Sequence, residues 1–265
     1  MRQLAATACP VQRQRGYSLI EILIALLVAL FLLAGLGSMV AGTRKTSTNQ
    51  TSLAQLQDEE RLAMSMINDV LQTAGYFDAN PSDTATYTSA TAAFPAITTT
   101  GGPSNPVLVA GQALGGTHST TTPDTLVVQY RTNGSDNVIA CDGTTSTGAA
   151  TYTNFFFITT TTPYQLQCSK DGNASDAVTL ISNVVNLQIW YGVSTTGTSS
   201  VDTYVQANNV ANWANVISAR VTLTFNNPLY YQPGGTVVVP GQPQYVTFTR
   251  VITLQSRAGY VQVAT

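Results

Sequence analysis

The 265 residues suit one or two domains, and only 9% of them are charged against an abundance of Thr, Ser, Asn and Gly. That balance is unlike a cytosolic enzyme and suits an exported, β-rich surface protein. Net charge is −2, but residues 1–16 hold three arginines and no acid. Beyond them 8 basic and 13 acidic side chains remain, a balance of −5 that offers no electrostatic footprint for nucleic acid.

Residues 1–16 are short, basic (Arg2, Arg13, Arg15) and without a credible fold. From Ile22 to Val40 follow 19 residues without a charge, long enough as a helix (~28 Å) to cross the hydrocarbon of a bilayer. Glu21 sits just inside the start of this run. An ordinary secretory signal with cleavage near Val40-Ala41-Gly42 would need a shorter, uncharged apolar core. An uncleaved signal anchor is the stronger rival, since it keeps the arginines cytoplasmic. It gives Glu21 no role, however, and an acid at the centre of a membrane helix costs ~2.5 kcal/mol or more, less near an end. The physical demand is for a cationic partner.

The run Arg15-Gly16-Tyr17-Ser18-Leu19-Ile20-Glu21, abutting a long apolar helix near the N-terminus, resembles the class III signal of type IV prepilins and pseudopilins. The resemblance implies cleavage after Gly16 by a prepilin peptidase, N-methylation of the new N-terminus at Tyr17, and Glu21 as the fifth mature residue. It also implies that Glu21 pairs with the free N-terminal amine of a neighbouring subunit.

After a polar bridge from Thr43 to Gln50, apolar residues recur at Leu53, Leu56, Ala63, Ile67, Val70, Leu71 and Ala74. Opposite them stand Asp58, Glu59, Glu60, Arg61, Asn68 and Asp69. This predicts an amphipathic helix packed on a globular domain and stopped at Gly75. One helix from Tyr17 to Ala74, with Gly35, Gly37 and Gly42 as weak points, competes with a membrane helix, a linker and a separate second helix.

Residues 76–124 are Thr/Ser/Gly-rich and read as loop, with one apolar piece at Val107-Leu108-Val109. Strands are predicted at Thr125–Tyr130, Asn137–Ala140, Tyr152–Thr159, Gln165–Cys168, Val178–Ser182, Val185–Tyr191, Ala219–Phe225 and Tyr245–Gln255. Asp142-Gly143 and Asp171-Gly172 are turn signals, and Pro and Gly between 228 and 243 mark a long loop. Asn209–Val216 reads as a short helical turn capped by Asn209. The fold class is α+β: a long N-terminal helix, half membrane-spanning and half amphipathic, laid on an antiparallel β-sheet. Domain bounds follow as a leader at 1–16, an apolar helix at 17–42, an amphipathic helix at 43–75, the loop region at 76–124 and a β-rich domain at 125–265.

Of three cysteines, Cys9 lies in the leader, and Cys141 with Cys168 forms an even pair in an exported domain, which favours a disulfide. A two-cysteine metal site is the rival, but the single histidine, His118, lies in a Thr-rich loop and reads as solvated. Asp171, Asn173 and Asp176 hint at a calcium loop whose spacing lacks the rest of the pattern, so a turn is the reading preferred. No catalytic constellation or phosphate loop stands out, and no cofactor is expected. Trp190, Tyr191 and Trp213 could stack on a sugar, although aromatics on such faces are more often core.

The C-terminal half narrows the resemblance. Leu187-Gln188-Ile189-Trp190-Tyr191-Gly192-Val193, Val201-Asp202-Thr203-Tyr204, Trp213-Ala214-Asn215-Val216, and strands carrying Arg220, Arg250 and Arg257 are similar to the PilW family of type IV minor pilins. The resemblance implies a non-enzymatic subunit that helps start pilus assembly, at or near the tip. Its partners would be the prepilin peptidase, other minor pilins and the major pilin, with no nucleic acid and no small-molecule substrate. Its location would be the inner membrane, single-pass with an extracytoplasmic domain, and then the periplasm or surface pilus. A minor pseudopilin of a type II secretion system, or a tethered glycan- or peptide-binding module, are the alternatives.

Overall fold

The computed structural model describes residues 16–77, 90–196, 200–232 and 235–256. Arg2, Cys9, Arg13, Arg15 and Arg257 lie outside the described residues. Helix α1 spans Leu19–Gln72, 54 residues. It opens where the Ser18 carbonyl accepts the amides of Glu21 at 2.9 Å and Ile22 at 3.3 Å. Gly35, Gly37 and Gly42 do not interrupt it, and the bridge from Thr43 to Gln50 stays helical. The hydroxyls of Ser38, Thr43, Thr46 and Thr48 bond back to carbonyls three or four residues earlier, which satisfies them within the helix.

The chain divides into two units, Met1–Gln50 and Thr51–Thr265. In the first, no described residue is buried. In the second, α1 buries Leu56, Ala63, Met64, Ile67, Val70 and Leu71, the face that the apolar spacing predicts. Gly75 ends the helical turn as expected. Its φ of +76° is a left-handed conformation that suits glycine, and its amide donates to the Gln129 carbonyl at 2.9 Å.

Eleven strands follow among the described residues: β1 (Ile97–Thr98), β2 (Val107–Leu108), β3 (Leu114–Thr117), β4 (Thr125–Thr132), β5 (Ala150–Ile158), β6 (Gln165–Ser169), β7 (Val178–Ser182), β8 (Val184–Val193), β9 (Thr203–Val205), β10 (Val216–Asn226) and β11 (Tyr245–Thr253). They form not one sheet but two main ones, β3-β4-β5-β6-β7 and β11-β10-β8-β9, with β1-β2 as a small third; every pairing within them is antiparallel. The change of sheet between β7 and β8 occurs at Asn183, a bend with a φ of 63°.

The main core joins the α1 residues to both main sheets, with Leu126, Val128, Tyr130, Phe156, Leu187, Tyr191, Leu223 and Phe225 all fully buried. A second cluster of Leu108, Val127, Phe155 and Phe157 lies against Ile97, Ala174 and Ala177. The five-stranded sheet is therefore covered on both faces, which is why β4 is buried at nearly every position rather than at alternate ones. The loop expected over 76–124 is corrected accordingly. Its described part, 90–124, contains the short helix α2 (Ala90–Ala93) and β1 to β3, and it supplies the cover, with Phe94 and Leu108 buried. Residues 78–89 lie outside the described residues. The apolar content is sparse but concentrated at contact points, each side chain contributing ~1.5–3 kcal/mol on full burial.

Three further local expectations change. Asn137–Ala140 is not a strand: Asn137 has a φ of 54°, the Asp136 carboxylate accepts the amides of Asn133 and Val138, and the Ala140 amide donates to Thr144. Turn chemistry outweighs the β-branched side chains there. Two 3-10 turns, Ala207–Asn209 and Trp213–Asn215, replace one helical turn. Asn212, not Asn209, caps the second by accepting the Ala214 amide at 2.9 Å. Strand β9 carries no sequence signal strong enough to separate it from loop.

Asp124 ties the two main sheets together. It is 2% exposed, its amide donates to the Leu187 carbonyl at 2.8 Å, and its carboxylate accepts the Ile189 amide at 2.8 Å. His118 Nδ1 stands 2.9 Å from the other carboxylate oxygen, so the histidine is half-buried and bonded rather than solvated. Burial pushes the Asp124 carboxyl above the usual aspartate value, against the lowering pull of Ile189 and His118.

Nearby, Tyr191 is fully buried and its hydroxyl meets no hydrogen-bond partner among the described residues. A methyl group on Gly116 would collide with that hydroxyl and with the Thr125 carbonyl. Gly116→Ala is therefore expected to lower stability by about 1–3 kcal/mol. Tyr191→Phe should stay within about 1 kcal/mol of the parent, because it removes a polar atom that has no bond to lose. Thermal unfolding of the full chain in detergent checks both.

Candidate functional site

Gly16, Tyr17 and Ser18 precede α1 as non-helical chain, so the Gly16–Tyr17 peptide bond lies outside the helix. Tyr17 is 79% exposed. Glu21 stands in the first turn of α1, where the unpaired amides of a helix N-terminus favour a carboxylate. Tyr17, Glu21, Ala25 and Ala29 follow at intervals of four along one side, with Ile22 and Leu26 beside them. The two alanines leave room next to the acid for another chain to approach. Among the described residues no cation lies within 4.0 Å of the Glu21 carboxylate.

The apolar run behind Glu21 exposes Leu23, Leu27, Leu30, Phe31, Leu33 and Leu36 at 57–80% each. By length and composition this helix can cross a membrane. The one polar side chain between Ile22 and Val40 is Ser38, whose hydroxyl is bonded back to the Gly35 carbonyl. What the helix can do chemically is partition into lipid or pack on like helices.

In the globular unit, Cys141 and Cys168 form a disulfide with Cα atoms 6.2 Å apart. It pins the loop between β4 and β5 across the sheet to β6, and the Cys141 amide is also held by the buried Asn154 side chain at 2.8 Å. The same loop carries two aspartates. Against the raising effect of burial, the Thr132 hydroxyl and the amides of Val138 and Asn133 hold Asp136 below the ordinary aspartate value. Bonds from Thr144 and Lys170 do the same for Asp142, which ion-pairs with Lys170 at 2.9 Å. Asp171, Asn173 and Asp176 bond to one another around the 3-10 turn Ala174–Asp176, as a turn should.

The aromatic candidates separate. Tyr191 is core, with the Trp213 ring 4.7 Å from it edge-on. Trp190 lies on the opposite face of β8, where the Arg220 guanidinium stands 5.3 Å from its ring centroid and 5.1 Å from that of Tyr204. Arg250 makes a 3.8 Å ion pair with Glu60 of α1. Nothing in the sequence pairs Arg220 with Tyr204. Strand register over a three-residue β9 was the missing signal.

A disulfide closing a loop of this length stabilises by roughly 3–4 kcal/mol in the chain-entropy model, so Cys141→Ala/Cys168→Ala should lose about that much in denaturant unfolding. Because Asp136 and Asp142 titrate below the unfolded value, they contribute stability above it that is lost as pH falls through their folded values; Asp124, raised, acts in the opposite sense. The melting temperature is expected to drop between about pH 5 and pH 3, and Asp136→Asn should flatten that slope.

Two family profiles match the chain. The one described as Type IV Pilus-assembly protein W matches residues 154–255, and the Prokaryotic N-terminal methylation motif matches residues 11–37. No curated protein matches. Among solved structures, the type IV-like pilin TTHA1219 from Thermus thermophilus is similar at a TM-score of 0.40 and 13% identity, over 77% of this chain and 98% of that one. A likeness at that level carries no weight for the assignment.

Proposed function

We propose that the chain, with its matches to the Type IV Pilus-assembly protein W profile and to the N-terminal methylation motif, is a PilW-type minor pilin that takes part in starting and building the filament, at or near the tip. Prepilin peptidase would cut between Gly16 and Tyr17, and Tyr17 would then be N-methylated. The leader arginines hold residues 1–16 on the cytoplasmic side while α1 inserts in the inner membrane. Cleavage creates an amine four residues before Glu21. A neighbouring subunit's amine then neutralises Glu21 as the helix leaves lipid for a bundle of like helices, where the exposed Leu and Ile side chains find apolar partners. The chain does no chemistry of its own in this scheme; its role is structural.

The observation that carries this reading is Glu21, a carboxylate beside 19 uncharged residues with no cation within 4.0 Å among the described residues. Desolvating such a charge is strongly unfavourable unless a cation accompanies it. A second subunit can supply that cation, and a plain anchor has no use for the acid.

Gly16→Ser should leave a precursor heavier by the mass of residues 1–16, visible by mass spectrometry of the membrane fraction; normal maturation would refute the cleavage site. Glu21→Ala should leave the globular unit folded and its disulfide formed while lowering the number of surface filaments. Undiminished piliation in that mutant would remove the pairing role. Loss of exoprotein secretion in place of twitching would assign the chain to a secretion pseudopilus.

A further inference from the structure

The open face of the β11-β10-β8-β9 sheet carries three rows set by strand register: Asn186, Thr224 and Thr247; Gln188, Thr222 and Thr249; Trp190, Arg220 and Val251. Tyr204 of β9 stands beside the third row, over Gly192, which has no side chain to displace it. Gln188, Thr247, Thr249 and Val251 are exposed, Val251 at 54%, so among the described residues no element buries these positions. Within these rows Arg220 is the one charge.

Its guanidinium lies 5.3 Å from the Trp190 ring centroid and 5.1 Å from that of Tyr204, and no carboxylate among the described residues comes within 4.0 Å of it. Ring contacts of this kind engage the π system of a guanidinium and do not use its in-plane fork of N–H donors, which stays available to a further partner. The group complementary to that fork is a planar anion accepting two parallel hydrogen bonds. A nucleic-acid phosphate is disfavoured, since this row has no second cation and the mature chain is net negative. An acidic sugar is disfavoured because both rings are occupied by Arg220, leaving no free ring for a sugar to stack on.

We propose that Arg220, positioned by Trp190 and Tyr204, is a docking point for an Asp or Glu side chain of a partner protein, with exposed Val251 as the apolar floor beside it. The site lies wholly within Thr51–Thr265 and asks nothing of Gly16 or Glu21, so it stands or falls apart from the processing scheme.

The test uses the full chain in intact cells with a photoreactive amino acid in place of Val251. Expected is a protein adduct whose attached peptide carries Asp or Glu within about three residues of the link, at a yield at least about five-fold lower in Arg220→Gln. Thr222→Glu, which keeps Arg220 and offers it an internal carboxylate, should lower the yield similarly. Joint reversal, Arg220→Glu with the partner acid changed to Arg, should restore it. Should Arg220→Gln misfold, as protease sensitivity would reveal, Thr222→Glu decides alone. Unchanged yield in the variant that folds, an attached peptide without an acid, a polysaccharide adduct, or no adduct at all would overturn the proposal.

Discussion

From Ile22 to Val40 the chain presents 19 residues without a charge, and none of them is buried. Removing apolar surface from water stabilises by about 25 cal/mol per Å², so a helix that exposes this much apolar surface requires lipid or like helices around it. The hydroxyls of Ser38, Thr43, Thr46 and Thr48 bonded back onto the helix, and the confinement of charge to Glu21 at its start, both answer that requirement. Backbone polar groups in a bilayer must be satisfied within the segment, and α1 satisfies them.

The globular unit solves a different problem. Its share of α1 buries one face, and the five-stranded sheet then needs covering on its other side. The region from α2 to β3 does this with few residues, Leu108 entering the second cluster and Thr99 bonding the Pro106 carbonyl beneath β1-β2. A buried carboxylate at Asp124 spans from the start of β4 to β8, and its desolvation is offset by the amides of Ile189 and Ser119 and by His118. Sheet-to-sheet registration thus rests on one side chain as well as on packing.

The two surfaces proposed above for recognition differ in kind. The apolar helix is non-directional and accepts any like helix, whereas the Arg220 face is polar, flat and specific in hydrogen-bond geometry. The proposed assembly role calls for both kinds of contact, since apolar burial alone discriminates poorly between similar helices.

The sequence by itself determined the elements whose cause is local. The apolar run, Glu21 and the heptapeptide at Gly16 lie contiguous in the chain, the 3–4–7 spacing after Thr51 dictated which helix face is buried, and Gly75 marked the stop. The strands β4 to β8, β10 and β11 were legible from β-branched and aromatic runs. Tertiary structure alone decided what depends on partners distant in the chain. Two sheets in place of one meet at a bend at Asn183 that no periodicity announces. The structured cover over 90–117 follows from a sheet face that needs shielding, and Asn137–Ala140 was lost to a carboxylate at Asp136. His118 changed from a solvated residue to a buried bond because Asp124 meets β8 65 residues downstream at Ile189, and Arg220 acquired its aromatic flanks only when β9 and β8 were placed beside β10. Periodicity reports which side of an element is apolar; it carries no information about which other element that side will meet.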